Sequence, residues 1–257
     1  MNLLVARGLE TRIRRRAIVR GVGLRWGAGV RGLLGKNGAG KTTLIRTLAT
    51  ALSPSAGTLE ILGTDVASRR DLPGLRRRIG YAPQHTPILR HLTVRDQVAY
   101  AGWLKGVSAD SLSERVEVVL EQVDLADRAG SRTRSLSGGM QRRLAVAMAL
   151  VADPPVLFLD EPTAGLDPTQ RIMFRRLVGR LGSERLVVLS THLIEDVVAA
   201  CQEVTVLHAG QVVFEGSPQD LAGAGRTATG RTQAPDTERS PVEVGFATVI
   251  GENLNHE

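Results

Sequence analysis

The sequence predicts an α/β fold built on a mostly parallel central sheet. Short apolar runs, mostly β-branched or leucine-rich, alternate with longer amphipathic segments along the 257 residues, which is the order of strands and crossover helices. Residues 93–152 break that alternation: they hold three helical patterns and no strand pattern, so an inserted helical subdomain is expected at about 86–152.

Taken in order, residues 3–24 together with 57–62 read as antiparallel strands flanking the first helix, an N-terminal antiparallel β subdomain. Parallel strands are expected at 30–34, 79–82, 156–160, 186–190 and 203–208, and helices at 41–52, 94–104, 112–123, 138–152, 168–181 and 194–201. A break at Ala209 and Gly210 predicts a closing hairpin over 204–214. From residue 222 the composition shifts to Ala, Gly, Thr, Ser and Pro, so one domain over 1–221 and a flexible tail over 222–257 are expected, with 242–250 as an optional extra strand.

Composition narrows the function. The net charge is +7, carried almost wholly by arginine, since Lys36, Lys41 and Lys105 are the only lysines. Such a balance favours phosphate-bearing partners, while basic clusters at 12–20 and 69–78 read first as solvated faces. Aromatic residues make up 3% of the chain, too few for a stacking platform for single-stranded nucleic acid. The lone Cys201 excludes an internal disulfide framework and a cysteine-rich zinc site. No apolar run approaches the roughly 18 residues of a spanning helix, and no secretory signal is visible, so a soluble, cytoplasmic chain is expected.

Two motifs carry chemistry. Gly35, Lys36, Asn37, Gly38, Ala39, Gly40, Lys41 and Thr42 match the phosphate-loop pattern GxxxxGK[ST], between an expected strand and an expected helix, with Thr43 next in line. Glycines let successive N–H groups converge on phosphate oxygens at the positive end of a helix, Lys41 adds a full charge, and the Thr42 hydroxyl is placed to ligate Mg²⁺. The second motif is the strand at 156–160, which ends in Asp160 and Glu161. Strand ends of a parallel sheet gather ligands, so Asp160 is expected at the metal and Glu161 at the γ-phosphate, polarising the attacking water.

Leu136, Ser137, Gly138, Gly139, Met140 and Gln141, ahead of a helical pattern, resemble the signature motif of ABC ATPases. The resemblance covers about residues 3–221 and implies a P-loop NTPase core. It further implies ATP and Mg²⁺ as ligands, with the signature turn of Ser137, Gly138 and Gly139 completing the site of a second ATPase subunit in a head-to-tail dimer. Other positions match the family one by one: Gln84 resembles the glutamine that touches Mg²⁺ and the attacking water, Asp167 ends a stretch like the loop crossing the dimer interface, and His192 resembles the switch histidine at the γ-phosphate. The chain departs from the family at Lys36, where proline is common, and at Ile13, where an aromatic usually stacks on adenine; Arg12 or Arg14 is the candidate cover for the base.

Within the family the chain looks most like ATPases of bacterial ABC-2 type drug and antibiotic exporters. That resemblance implies a separately encoded membrane permease, a place on the cytoplasmic face of the plasma membrane, and no nucleic-acid partner. Two other functions keep the same motifs: an ABC ATPase regulating a membrane or cell-wall protein, and a DNA-associated one. The second is disfavoured because Lys41 and Asp160 lie within one domain length.

Overall fold

Buried and exposed side chains alternate imperfectly along residues 4–26, as on a sheet covered on one face. In the computed structural model, which describes residues 2–228 and 240–251, these residues form β1 (Leu4–Ile13) and β2 (Arg16–Trp26). They join β4 (Ala56–Ile61) and β5 (Thr64–Asp65) in a four-stranded antiparallel sheet of order β2-β1-β4-β5. Between them come β3 (Gly29–Leu34) and α1 (Lys41–Leu48); after them come α2 (Leu72–Arg77) and β6 (Ile79–Ala82). The chain then runs through α3 (Val94–Leu104), α4 (Ala109–Gln122), two short 3-10 turns and α5 (Gly138–Leu150), the expected helical insertion. It returns as β7 (Val156–Asp160), α6 (Pro168–Leu181), β8 (Leu186–Thr191), α7 (Ile194–Ala200), β9 (Glu203–His208) and β10 (Gln211–Gly216). Last are α8 (Pro218–Ala228) and α9 (Pro241–Val249).

The central sheet has six strands in the order β10-β9-β3-β8-β7-β6, parallel except for the antiparallel β10. Every residue of β7 and of β8 is buried, because cores lie on both faces. The two-residue alternation of a strand divides β7 between them: Val156 and Phe158 face β1, β2, β4 and α1, whereas Leu157 and Leu159 face α5, α6 and α7. The turn joining β9 to β10 has positive φ at both Ala209 (48°) and Gly210 (82°), the two-residue geometry that suits a twisted hairpin.

Two expectations change in the structure. The helix expected over 41–52 ends at Leu48: Thr50 takes φ 60°, its N–H donates to the Thr47 carbonyl and that of Ala51 to the Arg46 carbonyl, a left-handed helix stop. The Arg76 guanidinium fixes that turn by donating to Thr50 Oγ1 at 3.2 Å and to the Thr50 carbonyl at 2.9 Å.

The second change is at the C-terminal end, where a coreless tail and an optional strand were expected. Residues 241–249 are instead helix α9, started by a capping box between Ser240 and Glu243. With α8 it forms a helical pair on α7, and Leu221, Phe246 and Ile250 join the same buried cluster as Val197. The small residues that suggested a tail permit this: a Cβ on Gly245 would sit 1.8 Å from the Leu221 carbonyl oxygen, so the helices approach too closely for any side chain there. The remainder of the expected tail, 229–239 and 252–257, lies outside the described residues.

Gly245→Val therefore forces α9 away and uncovers Phe246 and Ile250, with an expected loss of about 1–3 kcal/mol by thermal or urea unfolding. Gly179→Ala in α6, where an added Cβ meets nothing within 4 Å, is the contrasting change and should be neutral to stabilising by roughly 0.5–1 kcal/mol. Equal stability of the two variants would contradict the close α8–α9 contact.

Candidate nucleotide site

The phosphate loop spans the end of β3 and the start of α1, and its shape comes from its glycines. Gly38 (φ 82°) and Gly40 (φ 105°) hold left-handed conformations that a side chain resists. The Ala39 N–H donates to the Lys36 carbonyl at 3.2 Å, closing the turn, and Gly40 caps α1. No acidic residue lies in the first turn of α1, so that helix end keeps its positive character. Asn37 and Gly38 are exposed at the loop's outer edge, whereas Thr43 is buried behind it.

Lys41 is buried, 5% exposed, and its Nζ donates to the carbonyls of Gly35 at 2.7 Å and Lys36 at 3.3 Å. The same Nζ stands 3.2 Å from Glu161 Oε1, and Glu161 Oε2 stands 2.9 Å from His192 Nδ1. Lys41, Glu161 and His192, separated by up to 151 residues in the chain, thus form one line of contacts across the ends of β3, β7 and β8. Glu161 itself is 6% exposed with φ 48°, a left-handed conformation rare for a residue with a side chain. Its N–H is held by the Ser190 carbonyl at 3.2 Å and by Ser190 Oγ at 2.9 Å, so neighbouring β8 over-determines this strained position.

Asp160 sits one residue earlier and 1% exposed. Its Oδ1 accepts from Ser190 Oγ at 2.6 Å and from Thr42 Oγ1 at 3.3 Å, whereas its buried Oδ2 has no hydrogen-bond partner. Burial pushes the Asp160 carboxyl pKa up, opposed by those two hydroxyls and by Lys41, and reinforced by the Glu161 charge. An unpartnered carboxylate oxygen beside an exposed threonine hydroxyl at a helix start is an oxygen donor set that fits Mg²⁺.

The remaining sequence-predicted residues lie apart from this line. Gln84 and Gly138 line a cleft of about 350 Å³ together with Gln141, Arg142 and the loop at 164–166, and the Gln84 carbonyl accepts from the Arg142 guanidinium. Ser137 caps α5, accepting from the Met140 N–H at 3.3 Å, and Gly139 abuts the Gln170 side chain at the start of α6. Asp167 caps α6, accepting from the Gln170 N–H at 2.8 Å. Among the described residues, no hydrogen bond joins Ser137, Gly138 or Gly139 to the phosphate loop. Sequence reasoning missed Ser190, whose hydroxyl orients both acids; the only signal was a hydroxyl residue ending an apolar run. It also missed Asp196, Thr163 and Arg175, which become neighbours only through folding.

A glycine loop and an acidic strand end at the same edge of one largely parallel sheet, with one strand between them, define a P-loop NTPase fold. The chain belongs to the ABC transporter family, whose model matches residues 26–164. It is 37% identical over 245 residues to the daunorubicin resistance ATP-binding protein DrrA3 of Streptomyces coeruleorubidus, covering 95% of this chain and 76% of that one. It is 40% identical over 191 residues to the Nod factor export ATP-binding protein I of Cupriavidus metallidurans, covering 74% of this chain but 62% of the relative, which is therefore appreciably longer than the matched region. Among solved structures, CbiO1 of Clostridium perfringens, part of the transporter complex CbiONQ, superposes with a TM-score of 0.78 at 27% identity over 90% of this chain and 96% of its own. The ATP-binding subunit of another ABC transporter superposes at 0.76 with 25% identity over 91% of this chain and 97% of its own.

Proposed function

We propose that the chain binds ATP with Mg²⁺ and hydrolyses it at a head-to-tail dimer interface, driving export of a drug- or antibiotic-like substrate through a separately encoded permease at the cytoplasmic face of the plasma membrane. The observation that carries the hydrolytic part is the contact line Lys41–Glu161–His192 beside the phosphate loop. The names of the daunorubicin and Nod factor relatives support the export reading. No helix among the described residues is long and apolar enough to cross a membrane, consistent with a permease on another chain.

The geometry supports a role for each residue. Lys41 exchanges its contacts with the loop carbonyls and Glu161 for the β- and γ-phosphates, which frees Glu161 to accept a proton from the attacking water. His192, 40% exposed by its side chain, stays on the γ-phosphate side of Glu161 and orients it. Thr42 and Asp160 would hold Mg²⁺, with Gln84 as a further candidate ligand, and the cation would supply charge neutralisation at the phosphates. N–H groups of the loop at residues 35–43, that of Ala39 apart, bind phosphate oxygens, and Ser137, Gly138 and Gly139 supply the second helix start from the partner subunit, with Asp167 at the interface. Among the described residues the exposed Ser137 makes no hydrogen bond to the phosphate loop, which favours an intermolecular role.

Phosphate release by the purified chain tests the core of this reading. Hydrolysis should require Mg²⁺, stop in excess EDTA, and fall to background in Lys41→Ala; turnover persisting in either condition would exclude the assigned site. Co-purification with a permease and a transport assay test export.

The base site carries a separate expectation. Ile13 is 44% exposed at the end of β1, next to Arg14 at φ 56° in the hairpin turn. With no aromatic there, discrimination between ATP and GTP should be weak, and Ile13→Tyr should tighten ATP binding by about 0.5–1.5 kcal/mol, measured by titration of a fluorescent analogue. Unaltered affinity in Ile13→Tyr would place the base elsewhere.

A further inference from the structure

We infer that Asp196 is a positioning residue for hydrolysis, a buried carboxylate that ties the segment following Glu161 to the helix following His192 and so sets the spacing between those two side chains. The inference rests on the function proposed above for Glu161 and His192.

Asp196 lies on α7, four residues beyond His192, and is 0% exposed. Thr163, two residues beyond Glu161 and also 0% exposed, donates its hydroxyl to Asp196 Oδ2 at 2.5 Å. Arg175 of α6 donates Nε at 2.8 Å and approaches with Nη2 at 2.6 Å, both to Asp196 Oδ1. One carboxylate therefore joins three segments: the turn leaving Glu161, the helix whose first residue follows Asp167, and the helix that follows His192. A buried charge persists only where its lone pairs are used and a counter-charge is near, and both conditions are met here.

The cluster closes a frame around the functional contact. On the strand side of Glu161, its N–H is bonded to Ser190, two residues before His192. On the loop side, Thr163 is bonded to Asp196, four residues after His192. The 2.9 Å contact of His192 with Glu161 lies between these two cross-links. His192 is itself exposed, and among the described residues its ring is hydrogen-bonded to Glu161 alone, so its placement depends on the backbone either side of it. Because Asp167 caps α6, which carries Arg175, a shift of the interface loop also reaches Asp196, and through it the histidine.

The test compares Asp196→Asn, which keeps the shape and removes the charge, with Thr163→Val and Thr163→Ser. Asp196→Asn and Thr163→Val should each lower kcat about 10- to 100-fold, the scale of a small misplacement at a reacting centre. ATP affinity should stay within about twofold, and Thr163→Ser, which keeps the hydroxyl, should retain activity. The His192 ring signals in histidine-selective NMR should move in both impaired variants while those of His91, in the turn before α3 with its carbonyl bonded to Arg132, stay in place. Loss of nucleotide binding in step with kcat, or unmoved His192 signals, overturns the inference. Should Asp196→Asn fail to fold, Thr163→Val, which removes no charge, decides. Glu161→Gln run alongside separates the two levels: if it stays active, the proposed hydrolytic site itself fails, whereas if it is dead and Thr163→Val is fully active, only the positioning role fails.

Discussion

Glu161→Gln keeps the chain folded and able to bind ATP but lowers hydrolysis by about 10²- to 10⁴-fold, the usual contribution of a positioned general base. In energy that is roughly 3–5 kcal/mol of transition-state stabilisation. The reason is local. Glutamine has the size of glutamate and suits the same buried, left-handed site held by Ser190, so the backbone has no cause to move. What disappears is the basic oxygen that takes the proton of water, together with the negative charge facing Lys41 at 3.2 Å. Removing that charge leaves Lys41 more attractive to phosphate, so ATP should bind at least as tightly and the closed nucleotide-bound dimer should accumulate. Size-exclusion chromatography with light scattering in ATP reads the dimer, and phosphate release reads the rate. Hydrolysis at the wild-type rate would remove Glu161 from its role.

Ser137→Arg is the second large effect, and it separates a shared site from a self-contained one. Hydrolysis should fall to background while a single chain still binds nucleotide, because the phosphate loop and Lys41 make no hydrogen bond to Ser137 within the subunit. The substitution also removes the cap that Ser137 provides to Met140, worth about 1 kcal/mol. Ser137→Ala supplies the control, since it loses the cap without adding bulk or charge. An equal mixture of Ser137→Arg with Lys41→Ala subunits sharpens the reading. A mixed dimer carries both defects at one interface and neither at the other, so part of the activity should return. Normal activity in Ser137→Arg would mean that the signature turn does not meet the nucleotide.

The contact line Lys41–Glu161–His192 is a product of topology. Parallel strands bring their C-terminal ends to one edge of the sheet, and β3, β8 and β7 are successive neighbours there. Lys41 follows β3, His192 follows β8, and Glu161 follows β7, so Lys41 and His192, far from it in sequence, each arrive within 3.2 Å of Glu161. The glycine loop and the acid pair were legible beforehand because each directly follows an apolar run, whereas the histidine was singled out only by its resemblance to the switch histidine of the family. The chemistry required at a strand end leaves a short, local trace.

Other features left no such trace. Ser190 and Asp196 act through partners 30 and 33 residues away, and nothing in their own neighbourhood distinguishes them from an ordinary strand-end serine or helix aspartate. The stop of α1 depends on Arg76, 26 residues on, and α9 depends on the fit of Gly245 against Leu221. A glycine- and alanine-rich segment reads as coreless until a neighbouring helix is close enough for small residues to be an advantage.

By itself, then, the sequence determined the layer order, the helical insertion, the phosphate loop and its acidic counterpart, because those follow from hydrophobic period and from residues adjacent in the chain. Only the tertiary structure decided which hydroxyl and carboxylate groups brace them, that Asp160 keeps a buried oxygen without a partner, and that the C-terminal residues fold back as helices on α7. Contacts between distant segments depend on distances of a few tenths of an ångström, which only the packed chain can set.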